Sequence, residues 1–153
     1  MSPDAPSVVI LGAGGHARVL LAALQDVGTK VSGFVAPSAA GSRLGDVPWL
    51  GDDTVLSGLG RDVRLVNGVG SAGTVGRRVV AHQAGADAGL EFLTIIHPSA
   101  VVGVSATLGA GSQILAGSIV GVTSRIGKDV IVNSGAVVEH DTVVGDFSHI
   151  ASG

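Results

Sequence analysis

The sequence predicts an α/β domain over residues 1–93 followed by a parallel β-helix over residues 94–153. Two observations lead to this prediction. A buried strand, a glycine-rich turn and a helix follow one another near the N-terminus, and further strands alternate with helices up to residue 93. After residue 101 an aliphatic residue returns every six positions. A chain of 153 residues is long enough for two small domains of this kind.

The composition suits such a chain and excludes several functions. It has 25 glycines, three Phe, one Trp and no Tyr, so a conventional aromatic core is not expected. The net charge is −3 without a basic run, which argues against nucleic acid or an anionic membrane as a partner. Cysteine is absent, which excludes disulfides and thiol catalysis. Residues 1–7 carry no Lys or Arg and the apolar run after them is short, so we expect a cytoplasmic protein.

The first predicted element is a buried strand over residues 8–11, followed by a turn at 12–17 and a helix at 18–26. Gly12 permits the tight turn, Gly14 lets a ligand approach the backbone, and Ala17 is the small residue that packs helix on strand. The N-terminus of the helix presents free N–H groups and a positive dipole end. The pattern therefore predicts a phosphate-binding turn, and the alternative is a tight turn without a ligand.

The second predicted strand covers residues 30–35 and ends in Val35, Ala36 and Pro37. A nicotinamide enzyme would place an Asp or Glu there, so NAD is not expected. Residues 36–53 are predicted to form a loop, residues 63–69 a strand, residues 70–73 a turn and residues 74–84 a helix. Arg77 and Arg78 on that helix are expected to be solvated. A last strand over residues 93–96 leads to His97, which is predicted to be a structural corner and not a ligand.

The period of six residues in the last third fits neither a helix nor a strand that alternates between two faces. It fits a coil of short strands and tight turns, in which three hexapeptides form one turn of the solenoid. Residues eighteen apart should then stack, as in the series Val102, Val120 and Val138. The spacing alone does not determine the handedness of the coil. The aliphatic positions are Val102, Leu108, Ile114, Val120, Ile126, Val132, Val138, Val144 and Ile150.

A run of three polar residues, Glu139, His140 and Asp141, interrupts the pattern in which glycine follows the aliphatic residue. Packing of a solenoid turn does not require such a run. A histidine beside carboxylates can act as a general base, because a carboxylate fixes its tautomer and stabilises the imidazolium. His149 follows nine residues later. The alternative is an ordinary exposed turn.

The whole chain resembles the hexapeptide-repeat acyltransferases that acetylate nucleotide-linked sugars in bacterial glycan pathways. The resemblance is carried by residues 12–16, 96–100, 133–141 and 144–149. It implies a Rossmann-like N-terminal domain followed by a left-handed parallel β-helix. It also implies N-acetylation of an amino sugar, as in bacillosamine and perosamine synthesis, or O-acetylation of a sialic acid.

By this resemblance His140 is the general base that takes a proton from the acceptor amine or hydroxyl, and Asp141 is its partner. Asn133 and His149 are implied to lie near the acetyl thioester, with His149 in contact with acetyl-CoA. The resemblance further implies acetyl-CoA as co-substrate, a homotrimer with acetyl-CoA between neighbouring coils, and no metal. The residues assigned to the nucleotide sugar are Gly12, Gly14, Gly15, His16 and Asn133.

The chain departs from the family at two places. Family members commonly carry acidic residues after the second strand, where Ala36 and Pro37 stand here, so the choice between UDP and GDP is open. The family's β-helix continues for several more coils, whereas this sequence stops at Gly153. We therefore expect a truncated member that binds acetyl-CoA poorly, has little transferase activity and associates through its last coil.

Three alternatives to sugar N-acetylation follow from the same patterns. One is sugar O-acetylation of the sialic acid type, and the choice between amine and hydroxyl is open. A second is a nucleotide-binding scaffold that trimerises without catalysis. A third is a carbonic anhydrase of the γ class, whose zinc requires three histidines. Only two histidines, His140 and His149, follow His97 in the sequence, which argues against the zinc enzyme.

Overall fold

The structure is a computed structural model that describes residues 7–39, 43–71 and 75–153. The chain divides into two compact units, Met1–Phe92 and Leu93–Gly153. Part of the predicted turn at 70–73 and the predicted helix start at residue 74 lie outside the described residues. In the described parts of the chain, no helix combines the length and the apolar character needed to cross a membrane.

The first unit is an α/β domain with one parallel sheet. Its strand order is β3-β2-β1-β4-β5, and every strand pairs in parallel with its neighbours. The carboxyl ends of parallel strands lie at one edge of a sheet, which is where ligands bind in such folds. The described elements are β1 (Val8–Leu11), α1 (Gly15–Asp26), β2 (Val31–Val35), β3 (Trp49–Gly51), a 3-10 helix (Asp53–Gly58), β4 (Arg64–Asn67), α2 (Gly76–Asp87) and β5 (Glu91–Phe92).

The centre of this sheet is β1, because all four of its residues are apolar and all four are buried. A strand with neighbours on both sides and helices on its faces needs such a continuous apolar run. Helix α1 buries one apolar face, consisting of Ala17, Leu20, Ala23 and Leu24.

The predicted loop over residues 36–53 is wrong in part, because β3 lies inside it and forms the edge of the sheet. Phe34 pairs with Trp49, and the indole Nε1 of Trp49 donates to the carbonyl oxygen of Ala36 at 3.1 Å. Three residues between Pro48 and Asp52 are too few to show a strand pattern in the sequence. Strand β5 also was not predicted.

The expectation that Arg78 is solvated is wrong, whereas Arg77 is exposed as expected. Arg78 is fully buried, and its Nη1 donates to the carbonyl oxygens of Asn67 at 3.2 Å and Val69 at 2.6 Å. The amide of Asn67 in turn donates to the Arg78 carbonyl at 3.0 Å. Buried polar groups need such partners. These bonds hold the loop that follows β4 at the carboxyl edge of the sheet.

The second unit is a parallel β-helix, as the six-residue period predicts. Its strands form three sheets with the orders β13-β10-β7, β14-β11-β8 and β15-β12-β9-β6. The strands are β6 (Ile95–Ile96), β7 (Val101–Val102), β8 (Thr107–Leu108), β9 (Gln113–Ile114), β10 (Ile119–Val120), β11 (Arg125–Ile126), β12 (Ile131–Val132), β13 (Val137–Val138), β14 (Val143–Val144) and β15 (His149–Ile150).

Each predicted aliphatic position is the second residue of a strand and points into the coil. Val120 pairs with Val102 on one side and with Val138 on the other, which confirms the stacking of residues eighteen apart. The interior is one apolar cluster in which Ile114, Val120 and Val132 are fully buried. The predicted fold class, a Rossmann-like α/β domain followed by a parallel β-helix, is confirmed.

The corners of the coil repeat as regularly as its strands. At each corner the third residue after the aliphatic position has a positive φ, the left-handed region that favours glycine. The backbone N–H of several of these residues donates to a carbonyl of the coil before, as Asp141 does to Val122 at 3.1 Å. The corner residues are Ser105, Gly111, Gly117, Thr123, Asp129, Gly135, Asp141 and Phe147.

Candidate active site

His140 and Asp141 lie on the corner that follows β13, and their side chains form a hydrogen-bonded pair. The distance between His140 Nδ1 and Asp141 Oδ2 is 2.7 Å. Because a carboxylate can only accept, Nδ1 carries the proton and Nε2 keeps its lone pair. The side chains are 68% and 71% exposed, so Nε2 is accessible to a substrate. This arrangement can remove a proton from a bound nucleophile.

The pKa of His140 is raised above its ordinary value of 6.5, first by the hydrogen bond to Asp141 and then by the charge of that carboxylate. Glu139 raises it further by its charge, and the loss of some solvent acts in the opposite direction. The pKa of Asp141 is lowered, first by a hydrogen bond from Thr123 and then by the bond from His140. The pair is therefore a charged carboxylate beside an imidazole that binds protons more strongly than usual.

Three residues of the coil before this corner support it, and the sequence interpretation missed all of them. The Thr123 hydroxyl donates a short hydrogen bond to Asp141 Oδ1. The Ser124 hydroxyl donates to the Glu139 carbonyl at 2.8 Å. A Cβ built on Gly121 would lie 2.7 Å from the Glu139 carbonyl carbon, so only glycine fits beneath the turn. Positions eighteen residues before the polar run would have indicated Gly121 and Thr123, because such residues stack, whereas Ser124 lies fifteen residues before Glu139.

Asn133 and His149 form a second pair in the same unit, on the sheet that contains β12 and β15. The amide Nδ2 of Asn133 lies 3.1 Å from His149 Nε2, and Asn133 Oδ1 accepts from the Ser134 N–H at 2.8 Å. The second bond orients the amide so that its NH₂ group faces the imidazole. The two pairs thus lie at different places in the coil, because His140 and Asp141 follow β13, whereas Asn133 follows β12 and His149 begins β15.

The first position of the glycine turn in the first unit, Gly12, forms the tight turn that the sequence predicts. Gly12 has φ +91°, and its N–H donates to the Val35 carbonyl at 2.7 Å. A Cβ there would lie 3.4 Å from the backbone of Gly68 and Val69. Gly12 is therefore required by the fold itself.

The rest of the turn is open. A Cβ on Gly14 would meet no atom within 4 Å, and one on Gly15 would meet only the Arg18 guanidinium, at 3.9 Å. Gly14 is the N-cap of α1, whose first turn carries no acidic residue. Free backbone N–H groups and an uncompensated positive dipole end favour an anion at this position.

The loop after β4, which Arg78 and Asn67 hold in place, lies against this glycine turn. The sequence analysis did not predict that this loop contributes to the candidate site. A Cβ on Gly68 would lie 2.9 Å from that of Ala17, and one on Gly70 would lie 3.5 Å from that of His16. The small side chain at Ala17 thus packs on the loop after β4. The loop and the glycine turn together form the carboxyl edge of the sheet at its centre.

No group of three or more His, Asp or Glu side chains that could hold a metal ion occurs in residues 7–39, 43–71 and 75–153. A zinc site of the carbonic anhydrase type is thus not formed within the described part of a single chain.

Comparison with known proteins gives one family for both units. Residues 7–82 match the family described as the PglD N-terminal domain. PerB from Caulobacter crescentus, in a complex with CoA and GDP-perosamine, is 38% identical and has a TM-score of 0.83. That match covers 94% of this chain and 67% of that chain.

Two further solved structures extend this comparison. A GDP-perosamine N-acetyltransferase variant from C. crescentus, with a histidine replaced by alanine, is 36% identical, with a TM-score of 0.82 and coverage of 94% and 67%. The acetyltransferase domain of PglB from Neisseria gonorrhoeae, in complex with acetyl coenzyme A, is 28% identical, with a TM-score of 0.81 and coverage of 94% and 69%. This chain therefore belongs to the acetyl-CoA-dependent sugar-nucleotide N-acetyltransferases, which join a Rossmann-like domain to a left-handed hexapeptide-repeat β-helix.

Proposed function

We propose that this chain transfers the acetyl group of acetyl-CoA to an amino group of a nucleotide-linked amino sugar, with His140 as general base. The observation that carries the proposal is the exposed His140–Asp141 pair, whose Nε2 is accessible and whose Nδ1 is held by the carboxylate. The amine nitrogen attacks the thioester carbonyl while Nε2 accepts a proton from it. The C–N bond forms, the C–S bond breaks, and the proton passes to the sulfur of CoA.

The other predicted site residues have roles that their positions support. Asn133 and His149, held together at 3.1 Å, are proposed to contact the acetyl thioester. The open turn at Gly14, Gly15 and His16 is proposed to bind the phosphates of the nucleotide sugar through backbone N–H groups. The relative in complex with GDP-perosamine supports a nucleotide-linked amino sugar as the acceptor class.

We propose that the protein acts as a homotrimer in the cytoplasm, where acetyl-CoA and nucleotide sugars are available. The outward residues of the β13-β10-β7 sheet support an association through that face. Val101, Ile119 and Val137 are stacked and are 58%, 41% and 51% exposed. A contiguous apolar stripe of this kind is typical of an interface between proteins.

The test of the proposed activity, and of the sequence-based expectation that this chain binds acetyl-CoA poorly and has little transferase activity, is an acetyl-transfer assay with a panel of nucleotide-linked amino sugars, headed by GDP-perosamine. Release of the CoA thiol is expected only when an acceptor with a free amine is present, and the product should gain one acetyl group by mass. A matched panel in which a hydroxyl replaces the amine is the control. Thiol release with the hydroxyl panel alone would contradict N-acetylation.

The pH dependence of kcat/KM should have its acidic limb above pH 6.5. A general base must be neutral, so activity is lost as the pH falls through the raised pKa of His140. The groups that raise this pKa are the carboxylates of Asp141 and Glu139. Asp141→Asn should move the limb to lower pH, because an amide removes both the charge and the strong hydrogen-bond acceptor. Coincident profiles for the two proteins would show that another group titrates.

Gly14→Val should weaken nucleotide-sugar binding at least about tenfold, because the side chain would fill the space in which the phosphates approach the backbone. The fold should tolerate it, since a Cβ there meets no atom within 4 Å. Gly58→Val is the matched control, because Gly58 also has open space and lies at the end of the 3-10 helix. Calorimetry with the nucleotide sugar measures both variants, and equal affinity in the two would place the ligand elsewhere.

A further inference from the structure

We infer that Thr123 is a positioning residue for the proposed base, because its hydroxyl holds the Asp141 carboxylate in the orientation that faces His140. The inference rests on the proposed function of His140. The three side chains form a continuous chain of hydrogen bonds across two coils: Thr123 Oγ1 to Asp141 Oδ1, and Asp141 Oδ2 to His140 Nδ1. Thr123 lies eighteen residues before Asp141 and therefore directly adjacent to it in the stack.

The direction of the Thr123 bond follows from its partners. The hydroxyl lies within hydrogen-bond distance of the Asp141 carboxylate and is 2.5 Å from the Val122 carbonyl oxygen. Both neighbours are acceptors, and the hydroxyl has one proton to share between them. The charged carboxylate is the stronger acceptor, so the proton is directed mainly to Asp141. Each carboxylate oxygen then has its own donor.

The orientation of Asp141 needs this second donor. The Asp141 and His140 side chains are 71% and 68% exposed, so water competes for both. A single hydrogen bond to Nδ1 leaves the carboxylate free to rotate about its χ angles. A bond to Oδ1 from a residue of the neighbouring coil fixes the rotation, and the imidazole is then held by a carboxylate that cannot turn away.

The backbone of this corner gives independent support. Ser105, Thr123 and Asp141 are stacked at the same corner with φ of 62°, 61° and 59°. A β-branched residue is strongly disfavoured in that region, and another corner of the same coil has Gly117 and Gly135 at the equivalent positions. Thr123 therefore occupies a position where the backbone favours glycine. The hydroxyl bond to Asp141 is a reason for a threonine at this place.

The test compares Thr123→Val, which removes the hydroxyl and keeps the shape and the backbone preference, with Thr123→Ser, which keeps the hydroxyl. Thr123→Val should lower kcat about tenfold, the effect of losing one hydrogen bond to a charged group, with KM for both substrates unchanged. Thr123→Ser should keep kcat close to that of the wild type. Thr123→Gly, which relieves the left-handed strain, should fold at least as stably as the wild type and lose kcat as the valine variant does.

A double-mutant cycle with His140→Ala separates this inference from the proposed function. If Thr123 acts through His140, Thr123→Val should have no further effect in the His140→Ala background. A tenfold loss that persists in that background would overturn the inference, as would a wild-type kcat in Thr123→Val while His140→Ala is impaired. Wild-type turnover in His140→Ala itself would instead contradict the proposed base, and the inference with it.

Discussion

Replacing His140 with alanine is expected to lower kcat by roughly 10²–10⁴-fold, the usual contribution of a general base. The variant should keep the fold, because the side chain is 68% exposed and its hydrogen bond is to Asp141, the adjacent residue in the sequence. Binding of both substrates should change little, since the proposed role of Nε2 begins when the amine attacks. Asp141→Asn should lower kcat less, because the amide oxygen can still accept from Nδ1 while the charge is lost.

The control for this experiment is His82→Ala, the same substitution in helix α2 of the first unit. His82 stacks on Phe92 with the ring centroids 4.1 Å apart, so its loss should reduce stability slightly and leave kcat unchanged. Stopped-flow or steady-state thiol release measures all three variants. Wild-type turnover in His140→Ala would show that another base acts, and His149→Ala would then be the next variant to measure.

The β-helix could be predicted in detail because each coil places its residues in the same environment as the coil before. The aliphatic positions from Val102 to Ile150 need only to be apolar and to recur, and this is visible in a single sequence. The stacking of Val120 between Val102 and Val138 follows from the period without any knowledge of the corners. Handedness does not follow from the period, because it depends on how the chain turns at each corner.

The polar contacts of the site could be predicted only where neighbours in the sequence make them. The bond between His140 and Asp141 joins adjacent residues, so the sequence pattern was sufficient. Thr123 reaches Asp141 from the coil before, and in the sequence it is one of many threonines and serines. The same period that predicts the core would have identified it, if it had been applied to polar residues.

In the first unit, likewise, the burial and the partners of a charged side chain could not be predicted from the sequence. Arg78 is buried because the carbonyl oxygens of Asn67 and Val69 meet it there, and both belong to the end of β4 and the loop after it. An arginine on a helix is solvated far more often than it is buried, and its partners are visible only when strand and helix are packed. Arg77, one position earlier on the same helix, is exposed, as arginines usually are.

The turn that carries His140 rests on a glycine, and this predicts a second large effect. A Cβ on Gly121 would lie 2.7 Å from the Glu139 carbonyl carbon and 2.8 Å from His140 Cα, with the His140 nitrogen closer still. These are backbone atoms, which cannot move aside as a flexible side chain can. Even alanine must therefore displace the backbone that carries the proposed base.

Gly121→Ala should lower the free energy of unfolding by about 1–3 kcal/mol, the usual cost of forcing extra volume into a packed site. It should also lower kcat about 10²-fold, since a shift of about 1 Å misplaces Nε2 relative to the amine. Gly109→Ala is the matched control, because its Cβ would lie 2.5 Å from the backbone of Gly127 and Lys128, beneath another corner. Its stability loss should be similar and its kcat loss much smaller. Chemical denaturation measures the stability of both variants, and steady-state kinetics measures their kcat. Equal losses of kcat in the two variants would show that damage to the coil as a whole, and not displacement of His140, limits turnover.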